Sequence, residues 1–166
     1  DVLPKGKAGP PAFPFFVSRP AEPPASPPGK PHNLARMETR MKRVAIFGAT
    51  GYTGFELIRM LLSHSGARIC ALTSEQYSGQ PVDQAFAPFQ GRLSGAAFGK
   101  MEKILPADFD VAFLALPHTV SSSVAGSLLS RGVPVVDLSA DFRFRSIPLY
   151  ESVYGVTHGS PGLAEK

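Results

Sequence analysis

Residues Val44 to Leu62 read VAIFGATGYTGFELIRMLL, and no other stretch limits the fold as much. Four consecutive apolar residues, Val44, Ala45, Ile46 and Phe47, suit a parallel strand buried on both faces. Gly48, Gly51 and Gly54 follow, spaced G-x-x-G-x-x-G. Leu57, Ile58, Leu61 and Leu62 then pair at i,i+4 and set one apolar stripe on a helix. Glycine permits positive φ and a close approach to the backbone. The free N–H groups and dipole of the following helix attract an anion. The stretch is either a tight turn with no ligand or the phosphate-binding turn of a nucleotide site. The buried strand before it and the amphipathic helix after it favour the nucleotide.

At 166 residues the chain has room for one domain with a real core. No apolar run approaches the ~20 residues a membrane helix needs, so no membrane role is expected. The net charge of +4 is unevenly spread: residues 1–43 hold eight of the seventeen Lys and Arg and three of the thirteen acids. Residues 44–166 have no positive excess, which argues against a nucleic-acid partner.

Ten of the seventeen prolines lie in residues 1–31, so residues 1–40 are expected to be disordered or locally polyproline II. Pro20/Pro23 and Pro28/Pro31 match the PxxP spacing, which is frequent by chance in such a composition. An amphipathic arginine helix of the kind found in transit peptides is lacking. The favoured reading is sequence translated upstream of a start at Met37 or Met41, outside the native protein. The chain runs from Asp1 to Lys166 and is expected to be a fragment.

The first helix is predicted to stop near Ser63-His64-Ser65-Gly66, and Arg68–Thr73 to form the second strand. Cys70 lies inside that strand among apolar residues with no base partner nearby, the setting of a structural thiol rather than a nucleophile. At the end of the strand, Ser74 suits a ribose 2′-phosphate and Glu75 a free 2′-hydroxyl, so local chemistry leaves NADP and NAD both open. Residues 76–81 read as a loop, Val82–Phe89 as a short helical turn, and a third strand is expected between Leu93 and Met101. Asp110–Leu116 is a further buried strand, the Val120 to Leu129 stretch a helix ending at Arg131-Gly132, and Val135–Leu138 the next strand. Repeated strand–helix–strand units predict an α/β fold with a doubly wound parallel sheet, a Rossmann-type dinucleotide-binding domain. Gly48, Ser74, Pro117 and Ser139 all fall at carboxyl ends of strands, where such sheets bind ligand.

Gly48-Ala49-Thr50-Gly51-Tyr52-Thr53-Gly54-Phe55-Glu56-Leu57 resembles the opening of N-acetyl-gamma-glutamyl-phosphate reductases. The later blocks do so in the same order: Leu72-Thr73-Ser74, then Phe113 to His118, then Asp137-Leu138-Ser139-Ala140-Asp141-Phe142-Arg143. Tyr150-Glu151, Tyr154-Gly155, His158 and Pro161 look like the segment that follows, so the resemblance covers about 41–163. It implies an NADP(H)-binding domain over 41–150, a connection beginning at 151–166, and a second α+β domain largely outside this chain. It also implies a small acyl-phosphate substrate, N-acetyl-glutamyl 5-phosphate, reduced to the semialdehyde in arginine biosynthesis. A cytoplasmic site and a homo-oligomer when full length are implied as well. In that family a cysteine in a Gly-Cys-Tyr-Pro-like loop attacks the acyl phosphate, and that loop lies beyond the matched region. No catalytic residue and no metal ligand is therefore expected here, and His118 and His158 are not matched to the family's proton-handling histidine.

The resemblance assigns Gly48, Thr50, Gly51, Tyr52, Thr53 and Gly54 to the pyrophosphate loop, with packing as the other reading of Tyr52. It assigns Ser74 to the 2′-phosphate, Leu116, Pro117 and His118 to the cofactor cleft, and Ser139 to the nicotinamide end. Capping of the next helix is the other reading of His118. Asp141 and Arg143 are either substrate-side residues or a buried ion pair. Rival readings are aspartate-semialdehyde dehydrogenase, an aminoadipyl-phosphate reductase, a non-catalytic dinucleotide sensor and a proline-rich adaptor working through 1–40.

Overall fold

The structure is a computed structural model, described here for residues 41–164; the Pro-rich segment 1–40 lies outside the described residues. Four parallel strands run β1 (Lys42–Phe47), β2 (Ala67–Leu72), β3 (Val111–Leu114) and β4 (Val135–Asp137). They lie in the order β2-β1-β3-β4, so the chain leaves β1 to one side and returns to the other. A crevice opens at the carboxyl ends of β1 and β3, the switch point of a doubly wound sheet. α1 (Tyr52–Leu61) crosses from β1 to β2, and α4 (Val120–Ser130) from β3 to β4. Two short helices, α2 (Val82–Ala85) and α3 (Met101–Ile104), lie between β2 and β3; α5 (Ile147–Tyr154) and α6 (Pro161–Ala164) follow β4.

The alternation of strand side chains divides the core between the two faces of the sheet. Val44 and Ile46 join Leu57 and Ile58 of α1, with Ile69, Val82, Phe89 and Phe98, on one face. Ala45 and Phe47 join Ala112, Leu114, Val124 and Leu128 of α4 on the other. Phe47 and Ile58 are each 0% exposed, and full burial of such a side chain stabilises by roughly 1.5–3 kcal/mol. This explains the uninterrupted apolar run in β1.

At the amino ends of the strands, opposite the crevice, Arg43 clamps β1 to β3. Its guanidinium reaches Asp108 at 2.9 Å and Asp110 at 3.3 Å, and its backbone N–H donates to the Asp110 carboxylate at 2.7 Å. The register of β1 against β2 slips here, Val44 facing Ile69 and Ala45 facing Ala71. Cys70 is the bulged residue between them, and its thiol donates to the Val44 carbonyl at 3.3 Å.

The strand expected between Leu93 and Met101 is not formed. Residues 73–100 carry only two isolated bridges, Thr73 with Gly99 and Pro81 with Ala97. Gly79, Gly91 and Gly95 take positive φ, and Pro81 and Pro88 lack the N–H a ladder needs. The segment packs through side chains instead: Phe55 meets Phe89 at 4.7 Å between ring centroids, and Tyr77 meets Phe86 at 5.5 Å. The expected helical turn over Val82–Phe89 is present as α2 followed by a 3-10 turn at Ala87–Phe89.

Candidate dinucleotide site

The three glycines of the β1–α1 turn do different jobs. Gly48 takes φ +80°, and a Cβ placed there would lie 2.3 Å from the Ala115 carbonyl oxygen at the end of β3. Gly54 sits on the first turn of α1, where a Cβ would come 2.3 Å from the Gly48 carbonyl oxygen and 2.7 Å from Ala49 Cα. Both are demanded by the chain's own packing. Gly51 is not: a Cβ there would meet the Gly48 carbonyl oxygen at an ordinary 3.6 Å, and its φ of −73° suits any residue. The free space at Gly51 faces the grooves on either side, which fits a close approach of ligand to backbone. Gly51 is also the N-cap of α1; no side chain caps it, and no acidic residue lies in the first turn. That end of the helix presents its N–H groups to an anion.

β2 is tied to the loop by hydroxyls. Thr73 Oγ1 accepts from Gly48 N at 3.0 Å, and the Thr73 carbonyl accepts from Ala49 N at 2.9 Å. Thr50 Oγ1 and Ser74 Oγ are 3.0 Å apart, and Ser74 Oγ also accepts from Tyr77 N at 3.1 Å. Ser74 is 5% exposed. Glu75 accepts from Met101 N at 3.2 Å and so caps α3. The Ser74 hydroxyl is thus shared with the loop and the Glu75 carboxylate with a helix end, and neither chooses between a 2′-phosphate and a 2′-hydroxyl.

A groove of about 540 Å³ is lined by Gly48, Thr50, Gly51, Thr73, Ser74, Glu75, Met101, Ala115, Leu116, Pro117 and Val120. On the other side of the loop a second groove, about 680 Å³, is lined by Thr50, Gly51, Tyr52, Phe55, Glu56 and Phe86. Each is large enough for part of a dinucleotide. Of the residues expected at the cofactor, Gly48, Thr50, Gly51, Ser74, Leu116 and Pro117 come together on the first groove. Tyr52 lines the second and is 98% exposed, so it is no packing residue within this chain. Thr53 is exposed on α1, and Gly54 is buried beneath the loop.

His118 and Ser139 lie outside both grooves. The His118 ring stacks on Tyr154 at 6.0 Å. The Ser139 hydroxyl donates to Asp137 at 2.8 Å and accepts from Asp141 N at 3.1 Å. His118 does not cap α4; Asp141 does, from 22 residues away. Its carboxylate accepts from Thr119 N at 2.8 and 3.0 Å, from Ser122 N at 2.8 Å and from the Tyr150 hydroxyl at 2.8 Å. The ion pair of Asp141 with Arg143 is not formed: Asp141 is fully buried among these donors, while Arg143 is exposed and donates to the Ser139 carbonyl at 3.0 Å. Burial alone would raise the Asp141 pKa, but the donors from Thr119, Tyr150 and Ser122 outweigh it and hold the carboxyl below its ordinary value. Tyr150 is pushed up to about 12, first by burial and then by its bond to Asp141.

His158 is equally committed. Ser160 N donates to its Nδ1 at 3.1 Å, so the proton sits on Nε2 and is donated to the Asp141 carbonyl at 2.7 Å. Both ring nitrogens are used, which leaves no free base. Cys70 lies within β2 and lines neither groove, and burial pushes its thiol up, away from the thiolate a nucleophile needs. No cluster of three metal-ligating side chains occurs among the described residues, and no helix there is long and apolar enough to cross a membrane. Glu75, read from the sequence as suited to a free 2′-hydroxyl, lines the main groove, and so do Thr73, Met101 and Val120, to which the sequence assigned no cofactor role. The signal at Thr73 is its place at the end of β2, one residue before Ser74.

Comparison with known proteins agrees with this geometry. Residues 43–161 match the family described as semialdehyde dehydrogenase, NAD binding domain. An N-acetyl-gamma-glutamyl-phosphate reductase of Akkermansia muciniphila is 47% identical over 127 residues, 75% of this chain and 37% of that protein. An Aeropyrum pernix protein named for reduction of LysW-linked 2-aminoadipate and glutamate phosphates is 42% identical over 127 residues, 76% and 36% of the two chains. An aspartate semialdehyde dehydrogenase from Candida albicans, solved with NADP, shares the fold with a TM-score of 0.53 at 22% identity, covering 68% of this chain and 36% of that one. This chain spans little more than a third of the length of the curated relatives it matches. With its glycine turn at the switch point of a doubly wound sheet and a match over residues 43–161, the chain belongs to the semialdehyde dehydrogenase family through its NAD binding domain.

Proposed function

We propose that this chain is the cofactor-binding part of an NADPH-dependent N-acetyl-gamma-glutamyl-phosphate reductase. The whole protein would reduce N-acetyl-glutamyl 5-phosphate to the 5-semialdehyde in arginine biosynthesis, in the cytoplasm, as a homo-oligomer. The observation that carries the reading is the turn at Gly51. It has open space and an uncapped helix end at the mouth of the crevice, in a chain 47% identical to such a reductase. Bound there, NADPH supplies a hydride. The chain's own residues bind and orient it: the α1 N-terminus faces the pyrophosphate, Thr50 and Ser74 offer hydroxyls beside it, and Leu116 and Pro117 form the apolar wall. No thiol among the described residues meets the crevice, so residues 1–166 alone bind cofactor without turning over substrate.

Calorimetric titration with NADPH and with NADH tests this directly, because it reads affinity and the 2′-phosphate preference together. Gly51→Val is expected to weaken NADPH binding by about 100-fold or more, while Cys70→Ala leaves it unchanged. The opposite ranking of the two variants, or NADPH-dependent turnover by this chain alone, refutes the assignment. A LysW-linked aminoadipyl phosphate is the second substrate reading, supported by the 42% identity to the Aeropyrum pernix protein. Kinetics of the full-length enzyme on both acyl phosphates separates the two.

A further inference from the structure

Thr119 is the only non-glycine residue with positive φ among the described residues, at φ 75° and ψ −37°. For a β-branched residue this is a strained conformation that persists only when its surroundings impose it. The Ser122 hydroxyl donates to the Thr119 carbonyl at 3.2 Å, and the Thr119 N–H is held by one side chain, Asp141. Both carboxylate oxygens of Asp141 accept the Thr119 N–H, and one of them also takes Ser122 N, so Asp141 spans the first turn of α4. Asp141 is itself held in place. Tyr150 donates to it, Ser139 Oγ accepts its backbone N–H, and His158 donates to its carbonyl. Three and two residues before Thr119, Leu116 and Pro117 line the main groove, and immediately after it Val120 does.

We infer that Asp141 is a positioning residue for the dinucleotide site, holding Thr119 in its strained turn so that Leu116, Pro117 and Val120 form the groove wall. The inference rests on the dinucleotide reading of that groove. Asp141 touches no groove-lining surface and acts only through the turn. Without its carboxylate, Thr119 relaxes to negative φ, and the Pro117–Val120 wall shifts relative to the loop at Gly51. The role is specific to a side chain at position 119 that resists positive φ. A glycine there adopts the same conformation without needing the carboxylate.

This difference supplies the test. In the full 166-residue chain, Asp141→Asn is expected to raise the NADPH dissociation constant about tenfold at a temperature where circular dichroism shows it folded. The same change in a Thr119→Gly background is expected to raise it less than about threefold, because the strained turn no longer depends on the carboxylate. A merely structural Asp141 would weaken both backgrounds equally, and that result overturns the inference. So does a folded Asp141→Asn chain with unchanged affinity. Amide hydrogen exchange in the absence of nucleotide keeps the two readings apart. Loss of protection at Thr119 and Ser122, with NMR shift changes reaching Leu116 in Asp141→Asn, upholds the control of the wall even if the wild-type chain binds no NADPH, which would sink the cofactor reading alone. Unchanged shifts at Leu116 overturn it.

Discussion

Two strand-to-helix turns face the same end of the sheet, and they treat their helix N-termini in opposite ways. At β1–α1 the N-cap is Gly51, with no capping side chain and no acid in the first turn. At β3–α4 the first turn is closed by the buried carboxylate of Asp141, with Tyr150 as a third donor. Both turns expose the same unsatisfied backbone donors and the same positive end of a dipole. One keeps that electrostatic capacity for a ligand, and the other uses it internally to anchor residues 137–160 to the sheet. A fold with two similar turns thereby gains one binding end and one structural end.

Substitutions that break this contrast differ widely in expected effect. Gly54→Val drives a side chain into the backbone of Gly48 and Ala49, and should prevent folding or cost more than about 3 kcal/mol, read by urea denaturation. Asp141→Ala leaves Thr119 N, Ser122 N and the Tyr150 hydroxyl without their acceptor, and is expected to cost about 3 kcal/mol by the same measurement. Tyr150→Phe removes one of those donors and should cost about 1–2 kcal/mol. Gly51→Val should alter stability by less than about 1 kcal/mol, since a Cβ there makes only an ordinary contact with the Gly48 carbonyl oxygen. If it unfolds the chain instead, the glycine is structural and the contrast fails.

The pH dependence follows from the same network. The Asp141 pKa is lower in the folded chain than in the unfolded one, so its contribution is full above the unfolded value and lost as pH falls through the folded value. Acid unfolding should therefore steepen below about pH 4, the ordinary carboxylate range. Asp141→Asn should flatten that limb. Tyr150 has the opposite sign: raised from 10.0 to about 12, it contributes fully below pH 10 and loses its contribution as pH rises toward 12. Tyr150→Phe should remove that alkaline loss.

The glycine turn, α1 and the four strands were legible because their signals are local. The four-residue apolar run, the i,i+4 stripe and the G-x-x-G-x-x-G spacing each span only a few residues of chain. Residues 93–101 misled because an apolar, glycine-containing stretch resembles a strand in composition. Its backbone there makes two bridges rather than a ladder. Asp141 could be named as a candidate but not given a role, since the donors it serves at Thr119 and Ser122 are 22 and 19 residues away. Capping was sought at His118, next to the helix, as local rules direct.

By itself, then, the order of residues determined the doubly wound class and the place of the phosphate-binding turn, because hydrophobic period and glycine conformation act over a few residues. Tertiary structure decided which glycine is free. Gly48 is constrained by Ala115 across the sheet and Gly54 by the loop folded over it, leaving Gly51 open. It also decided which helix end is available, because a carboxylate satisfies whatever donors the fold brings within about 3 Å, regardless of their separation in the chain.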